Sequence, residues 1–332
     1  MEEKTEGKTI EYFHPMFHRR VLADIVDALV MIALAILLFA GFRAILLATP
    51  ESALRSKRMA DNKTASGLYV ESEGQFALLS AYYPDNSGTL SSQEVMEIYE
   101  KGLTTFFTYL GSEVSSEAEA TVKTDYDAFR LAQNYEGVPY FVEDSGAIGK
   151  NSAATMSYQR YSDDVYRPYY SDHAEGYFTV YAPHFVEDAR YFSLYLVLLE
   201  VPVSVLLASI LAFYVPPLFF KRGRQTLGKA LYKIGRVDSH FLAVKFGRYS
   251  AESTILIFAI IMLSLASFGI PLLISFSLMA FSKKKQDFPD YMLGIEEVDL
   301  TDSKIYYCLE EAQLELERQR TAHVDFQVEQ KP

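Results

Sequence analysis

The sequence predicts an α-helical polytopic membrane protein carrying an inserted α+β extracytoplasmic domain, and three observations lead there. Three apolar blocks, Val21 to Ala48, Tyr191 to Phe220 and Ser253 to Ser282, stand apart from the rest of the 332 residues. The first two enclose a polar stretch of domain size, Thr49 to Arg190, whose 22 acidic and 11 basic residues account for nearly all of the net charge of −12. A short segment after the second block, Lys221 to Arg248, holds eight basic residues against the single acid Asp238. The overall hydropathy, near zero, is the average of these opposites.

Residues 1–18 form a lead-in ending in EYFHPMFH, an aromatic run suited to a membrane interface. His14 and His18 have the i, i+4 spacing of a metal pair, but Pro15 interrupts it and no third ligand is near. Interfacial anchoring is the better reading, and neither a metal nor another cofactor is expected.

Residues 19–48 are the first membrane helix. At about 1.5 Å per residue, Val21 to Ala48 reaches about 42 Å, more than the roughly 30 Å of a bilayer's hydrocarbon. The block is too long for a cleavable signal peptide, holds two aspartates and lacks a small-residue cleavage pattern, so it reads as an anchor. Asp27 and Arg43 lie about 24 Å apart on the same rise, so a centred helix places at least one of them in the apolar slab. Arg43 can snorkel to the interface; the short Asp27 side chain cannot, and it needs a partner or a proton. Asp24 is three residues before Asp27 and Arg20 four before Asp24, which puts the three on adjoining helix faces. Burial favours a protonated carboxyl and Arg20 or a bound cation the ionised one; a group so poised exchanges a proton for an alkali cation. The bland alternative has Arg20 on lipid phosphate, Asp24 at the interface and Asp27 paired with another helix.

Within 49–190, SSQEVMEIYEKGLTTFFTYLG opens with Ser91 three residues before Glu94, a capping-box spacing, and sets Val95, Ile98, Leu103, Phe106 and Leu110 on one face. It predicts an amphipathic helix closed by Gly111. FALLSAYY, VPYFVED and GYFTVYA are rich in β-branched and aromatic residues between turn formers and predict strands. The tyrosines of SYQRYSDDVYRPYYSD suit a core and interface role better than a carbohydrate or peptide surface. The only cysteine is Cys308, so the insert has no disulfide, which fits a bacterial surface. Its acidity argues against nucleic acid as a partner.

Residues 191–220 form the second helix, with Glu200 in its outer third before Pro202: either a functional carboxylate or one facing the insert. The basic loop, 221–249, belongs in the cytoplasm, which places the insert outside and the N-terminus inside. The third block, 250–282, is broken at Gly269-Ile270-Pro271 and flanked on both sides by basic residues, Lys245 and Arg248 before, Lys283 to Lys285 after. A hairpin returning to the cytoplasm is favoured over a kinked single crossing. Residues 283–300 follow as a polar segment, and 301–332 as a helical tail with Ile305, Leu309, Ala312 and Leu316 on one face.

Gly223 to Lys229 matches G-x-x-x-x-G-K, but Ala230 supplies no hydroxyl for Mg²⁺ and no buried strand precedes it, so a nucleotide loop is rejected. There is no HExxH, CxxC pair or G-x-S-x-G, and no enzyme is expected.

Three segments together resemble the RDD family of small integral membrane proteins, named for one arginine and two aspartates. Arg20 and Asp27 match its R-x-x-x-A/Y-x-x-D opening, with Asp24 extra. RQTLGKALYKIGRVD is similar to its G-Q-T-L-G-K and short strand, with Arg224 in place of the first glycine. KKKQDFPDYMLGIEEVD is similar to its H-D-x-x-x-G-T and second strand: Asp290 and Gly294 are kept, while Pro289 and Ile295 depart. The resemblance implies RDD-type helices, pairing of KIGRVD with GIEEVD, and a loop Thr226 to Lys229 packed under the helices with Lys229 near Asp290 or lipid phosphates. It also implies transport, Na⁺/H⁺ exchange among some relatives, with the insert adding a sensing or binding task.

The resulting expectation is transport of a small cation or solute in the cell membrane, with Arg20, Asp24, Asp27, Glu200 and Asp290 as coupling residues and Thr226, Gly228 and Lys229 as the supporting loop. The partners expected are the lipid bilayer, an alkali cation or proton, and a second copy or membrane partner, since three or four helices are few for a path. The rival is a non-transporting scaffold or sensor whose outer domain binds a partner.

Overall fold

The computed structural model describes residues 12–153, 156–281, 286–301, 304–315 and 317. The chain is mostly helical and divides into two units, Leu46–Tyr195 and a second assembled from Met1–Ile45 with Leu196–Pro332. Among the described residues, three helices are long and apolar enough to cross a membrane: α1 (Phe17–Leu47), Phe185–Phe219 and Phe246–Ala266.

The unit Leu46–Tyr195 begins with α2 (Pro50–Ser66), whose Thr49 cap and Pro50 at the first helical position are start signals. A hairpin of β1 (Tyr69–Ser72) and β2 (Gln75–Leu78) leads into α3 (Leu79–Asn86). Next, α4 (Ser92–Tyr109) has the capping box its sequence predicts, Ser91 with Glu94, and buries Leu103 and Phe106; it continues through a π-turn, Leu110–Val114, beyond the expected stop at Gly111. After α5 (Ser116–Ala132) come β3 (Asn134–Tyr135) with β4 (Val138–Pro139), and β5 (Phe141–Asp144) with β6 (Ala147–Lys150), each pair an antiparallel hairpin.

VPYFVED is therefore strand, as expected, but FALLSAYY is strand only to Leu78 before turning helical. GYFTVYA is a correction: it lies in the helix Glu175–Tyr181, the last part of a helical run, α6 (158–181). Its aromatic residues serve helical spacing: Phe178 is buried one turn after Ala174, and Tyr177 stacks on Tyr181. The tyrosines of α6 fill the core, where their hydroxyls are answered. Tyr170 donates to the Tyr99 carbonyl at 2.9 Å, Tyr161 to that of Tyr140 at 3.1 Å, and Tyr166 to the Glu100 carboxylate at 2.5 Å. At the end of the unit the fully buried Asp188 accepts from Arg55 at 2.9 Å and from Arg58 Nε at 2.7 Å, tying the start of Phe185–Phe219 to α2.

In the other unit, α1 and the second apolar helix reverse the arrangement of a water-soluble core. Along α1 only Arg20, Ala23 and Asp27 are buried, while Leu29, Ile36 and Leu37 are 60–70% exposed. In α7 (Phe185–Phe219) the buried residues after position 195 are polar or small, among them Glu200, Ser204, Ala208 and Ser209. Apolar outside and polar or small inside is the pattern that lipid imposes. Two π-turns in α7, Leu196–Glu200 and Ile210–Tyr214, stand just before Pro202 and Pro216-Pro217, which have no amide hydrogen to give the preceding turn.

A five-residue helix, α8 (Leu227–Leu231), leads to β7 (Ile234–Val237). Then α9 (Phe246–Ala266) turns through 267–269 into α10 (Ile270–Phe281), which at 12 residues is about 18 Å long, too short to cross. The chain comes back: α11 (Phe288–Leu293) packs against the first turns of α9, so the break at Gly269 reverses the chain. β8 (Glu296–Asp299) then pairs antiparallel with β7, Ile234 opposite Asp299 and Arg236 opposite Glu297. The pairing of KIGRVD with GIEEVD is thus present. Residues 12–16 run beside this ribbon, with Asp299 N–H donating to the Phe13 carbonyl at 2.8 Å. Ile305 and Ala312 are buried while Leu309 is exposed; Leu316 and Lys283 to Lys285 lie outside the described residues.

Gly102 lies where α4 crosses the end of α2: a methyl group there would meet the Gly67 carbonyl at 2.8 Å, Leu79 at 2.8 Å and the Tyr170 hydroxyl. Gly102→Ala is expected to destabilise the insert by about 1–3 kcal/mol through overpacking. A melt of the purified chain followed by tyrosine near-ultraviolet dichroism checks this, and an unshifted transition excludes the close approach as a determinant of the core.

Candidate functional site

The charged residues of the second unit gather where α1, α8, the β7–β8 ribbon, α9 and α11 meet. Asp27 is 2% exposed, and both of its oxygens are taken: the Thr226 hydroxyl donates to Oδ2, and the Gly228 N–H donates to Oδ1 at 2.7 Å. Thr226 is also the cap of α8, its hydroxyl accepting from Lys229 N–H at 3.4 Å, so one side chain starts the helix and anchors it on α1. The contact is close because residue 228 is glycine; a Cβ there would collide with the Ala23 carbonyl.

Arg20, expected to set the state of Asp24 and Asp27, instead pairs with Glu297 on β8. Lys229, expected near Asp290 or lipid phosphate, pairs with the other oxygen of Glu297 at 2.5 Å. Glu297 is the hub, since its backbone carbonyl also accepts from His14 Nδ1 at 3.1 Å, which gives that histidine a structural role. Across the ribbon Arg236 pairs with Glu252 in the first turns of α9. Asp24 stands apart from Asp27, exposed on α1, with Lys229 and Glu297 within electrostatic reach. Glu200 does not join this cluster: buried in α7, it pairs with Arg43 of α1 at 3.1 Å. Four of the eight basic residues of 221–248 face carboxylates of this unit. Besides Lys229 and Arg236, Arg222 pairs with Glu311 at 2.9 Å and Arg248 faces Asp238 at 3.9 Å.

Asp290 is the outlier. It is 1% exposed, and neither carboxyl oxygen has a hydrogen-bond partner among the described residues. Its own N–H caps onto Asp287 at 2.9 Å, holding the side chain at the start of α11. Burial raises its pKa well above the ordinary carboxylate range; the charges of Asp287 and Glu252 add to this, and Lys229 and Arg236 oppose it. Glu297 goes the other way. Burial alone would raise it, but Lys229 and Arg20 outweigh that and hold it at about 2. Lys229 is likewise stabilised as a cation despite its burial and the nearby Arg236, by Glu297, Asp24 and Asp290. Among the described residues, no group of three or more metal-ligating side chains is present.

Among the described residues, four buried carboxylates, Asp27, Glu252, Asp290 and Glu297, thus face three buried cations, Arg20, Lys229 and Arg236. A low-dielectric site tolerates the unmatched carboxylate as a protonated acid or beside a bound cation. Of the residues in this cluster, sequence reasoning named Arg20, Asp27, Asp290, Thr226, Gly228 and Lys229 but missed Glu297, Glu252 and Arg236. Glu252 was findable as the lone acid at the mouth of the third apolar block, and Arg236 with Glu297 from the strand pairing, which sets them side by side.

Glu297→Gln leaves Arg20 and Lys229 facing a neutral amide and is expected to cost about 3–5 kcal/mol. In the wild type the folded-state value of Glu297 lies below the ordinary 4.5, so its contribution is full above pH 4.5 and is lost as pH falls toward about 2. Asp290 has the opposite sign: its folded-state value is raised, so its contribution is present in acid and is lost as pH rises above the ordinary aspartate range. Thermal melts of wild type, Glu297→Gln and Asp290→Asn in detergent across pH separate the two. An Asp290→Asn curve that keeps the wild-type loss of stability at rising pH contradicts the assignment.

No curated protein and no solved structure matches the chain. A family match covers residues 178–294 and takes in α7, the basic loop, β7, α9, α10 and α11 with Asp290; Arg20 and Asp27 lie outside it and are joined to it by Glu297, Thr226 and Gly228. The chain carries an RDD family domain at residues 178–294, with helices long and apolar enough to span a membrane.

Proposed function

We propose that this protein is a multi-pass protein of the cell membrane that assists transport of a small cation by exchanging it against a proton at the buried carboxylates of its RDD domain. The ribbon, the basic loop and both termini lie in the cytoplasm in this reading, and the insert lies outside. The excess of basic residues in 221–248 favours that orientation, and so does the return of α11 to the start of α9, which makes the third block a hairpin. The exposed apolar ladders of α1 and α7 are then lipid-facing, and a second copy or a membrane partner completes a path that so few helices cannot enclose.

One observation carries the proposal: among the described residues, Asp290 is buried with both oxygens unpartnered, in a cluster with one buried carboxylate more than it has buried cations. Such a group holds a proton when closed off and gives it up when a cation or water reaches it. Asp290 is the carrier in this scheme. Glu252 and Arg236 set the field around it, and Asp27 with Thr226 and Gly228 clamps α1 over the site.

A second reading, a scaffold or sensor without transport, draws on Asp27 itself. Its two oxygens are already satisfied, as a structural latch requires and a cation ligand does not.

Flux in vesicles reconstituted with the full chain decides between them, with Na⁺ or K⁺ gradients and an internal pH dye. Asp290→Asn is expected to lower cation-dependent proton movement about tenfold or more while the protein stays inserted, and Asp27→Asn to lower it only in step with lost stability. Wild-type vesicles indistinguishable from empty ones with every alkali cation leave the scaffold reading.

A further inference from the structure

Outside the RDD domain, the acidic insert brings three of its cations together around one aromatic cleft, each beside a carboxylate. Lys123 and Arg130 of α5 and Lys150 of β6 line a cleft of ≈ 480 Å³ between α4, α5 and the β5–β6 hairpin. That is three of the insert's 11 basic residues, on a unit with 22 acids. The floor is aromatic, formed by Phe107, Tyr126, Phe141 and Tyr166. The cations lie along these rings: Lys123 Nζ is 5.9 Å from the Phe107 centroid, and the Arg130 guanidinium is 5.0 Å from Tyr126 and 5.5 Å from Phe141.

The acids at the rim hold the cations in place without using them up. Glu100 accepts from Lys150 at 2.8 Å and from the Tyr166 hydroxyl at 2.5 Å; Asp127 accepts from Arg130 at 2.6 Å, and Glu119 from Lys123 at 2.5 Å. Each ammonium has three donors, and Arg130 Nε, itself buried, has no hydrogen-bond partner among the described residues. The cleft therefore has spare N–H donors on its ion-paired cations beside flat π-surfaces. A ligand that uses both is an anion on a ring with an apolar face: the aromatic side chains take that face, and Arg130 with the lysines takes its acid group. The volume falls within the usual range for small-molecule sites, about 300–1,000 Å³, and suits one ring with its substituents.

We infer that this cleft binds a small ring-shaped carboxylic acid, a uronic acid or an aromatic acid, on the extracytoplasmic side of the protein. The site is independent of ion coupling at Asp290, so its test stands whether or not the protein transports.

The test is a titration of the full chain in nanodiscs, followed by tyrosine fluorescence. The chain has no tryptophan, and Tyr126 and Tyr166 line the cleft, so they report directly. The probes are D-glucuronate and benzoate, with D-glucose as the ring without charge and acetate as the charge without a ring. Saturable binding of either ring acid at about millimolar or tighter, and at least about tenfold weaker binding of glucose and acetate, is the expected result. Arg130→Gln and Lys123→Gln are expected to weaken it about tenfold each; Lys123 is half exposed, so its variant tests the charge without disturbing the core. Lack of saturation by both ring acids, equal binding of glucose or acetate, or full affinity in both variants overturns the inference.

Discussion

A carboxylate placed a few residues inside an apolar helix cannot be solvated by lipid, and everything around Asp27 follows from how the chain answers it. The answer comes 199 residues later, from the hydroxyl of Thr226 and the amide of Gly228. Two donors on one short helix fix that helix directly against α1, closely enough that no side chain fits at position 228. Its next residue, Lys229, is thereby buried and needs a countercharge, which Glu297 supplies; Glu297 sits on β8, so β8 must lie under α1 beside β7. Arg20, two turns before Asp27, reaches the same glutamate. One unsolvated group thus specifies the placement of the loop, the ribbon and the lead-in.

The same logic explains how a unit of about 150 residues can interrupt the chain between α1 and α7. Every member of the charge cluster comes from residues 20–27 or from 226 onward, so the cluster closes without any contribution from the insert. The insert has a different physical basis. Its core is aromatic, with buried tyrosines whose hydroxyls find carbonyls and carboxylates, and its ends are joined to each other by Asp188 with Arg55 and Arg58. A tyrosine-rich core stabilises by area and by satisfied hydroxyls, and no disulfide contributes, since Cys308 is the only cysteine of the chain.

What could be read from the sequence divides along physical lines. Features fixed by local composition were legible: the apolar lengths, the break at Gly269-Ile270-Pro271, the Ser91 capping box and the short strand at VPYFVED; the strand at GIEEVD came from the family resemblance. GYFTVYA was not, because aromatic and β-branched residues suit a strand and a buried helix equally, and only the partner surface offered to Phe178 decides between them. In the site, the charges that lipid makes costly announced themselves, as Asp27 and Glu200 did. Their partners did not, because a choice between Asp24 and Glu297 for Arg20, or between Asp290 and Glu297 for Lys229, depends on strand register and on the face α1 turns inward. Spacing along one helix made Arg20 and Asp24 look like partners; rotation of that helix put Asp24 on the exposed side.

The pairing of Lys229 with Glu297 is also what leaves Asp290 exceptional. Had Lys229 turned to Asp290, each buried carboxylate of the cluster would have had a hydrogen-bonded partner, and the site would be a structural network. Instead two cations converge on Glu297 and hold it ionised, Arg236 pairs through one terminal nitrogen with Glu252, and Asp27 is closed by neutral donors, so that among the described residues no donor reaches the Asp290 carboxyl. A latch does not require a buried acid without partners, and an apolar residue at position 290 would pack there with no desolvation penalty. Packing therefore gives no reason for a carboxyl at this position, whereas a site that must bind and release a proton gives one: donors that held the ionised form would pull its pKa back down and fix its state.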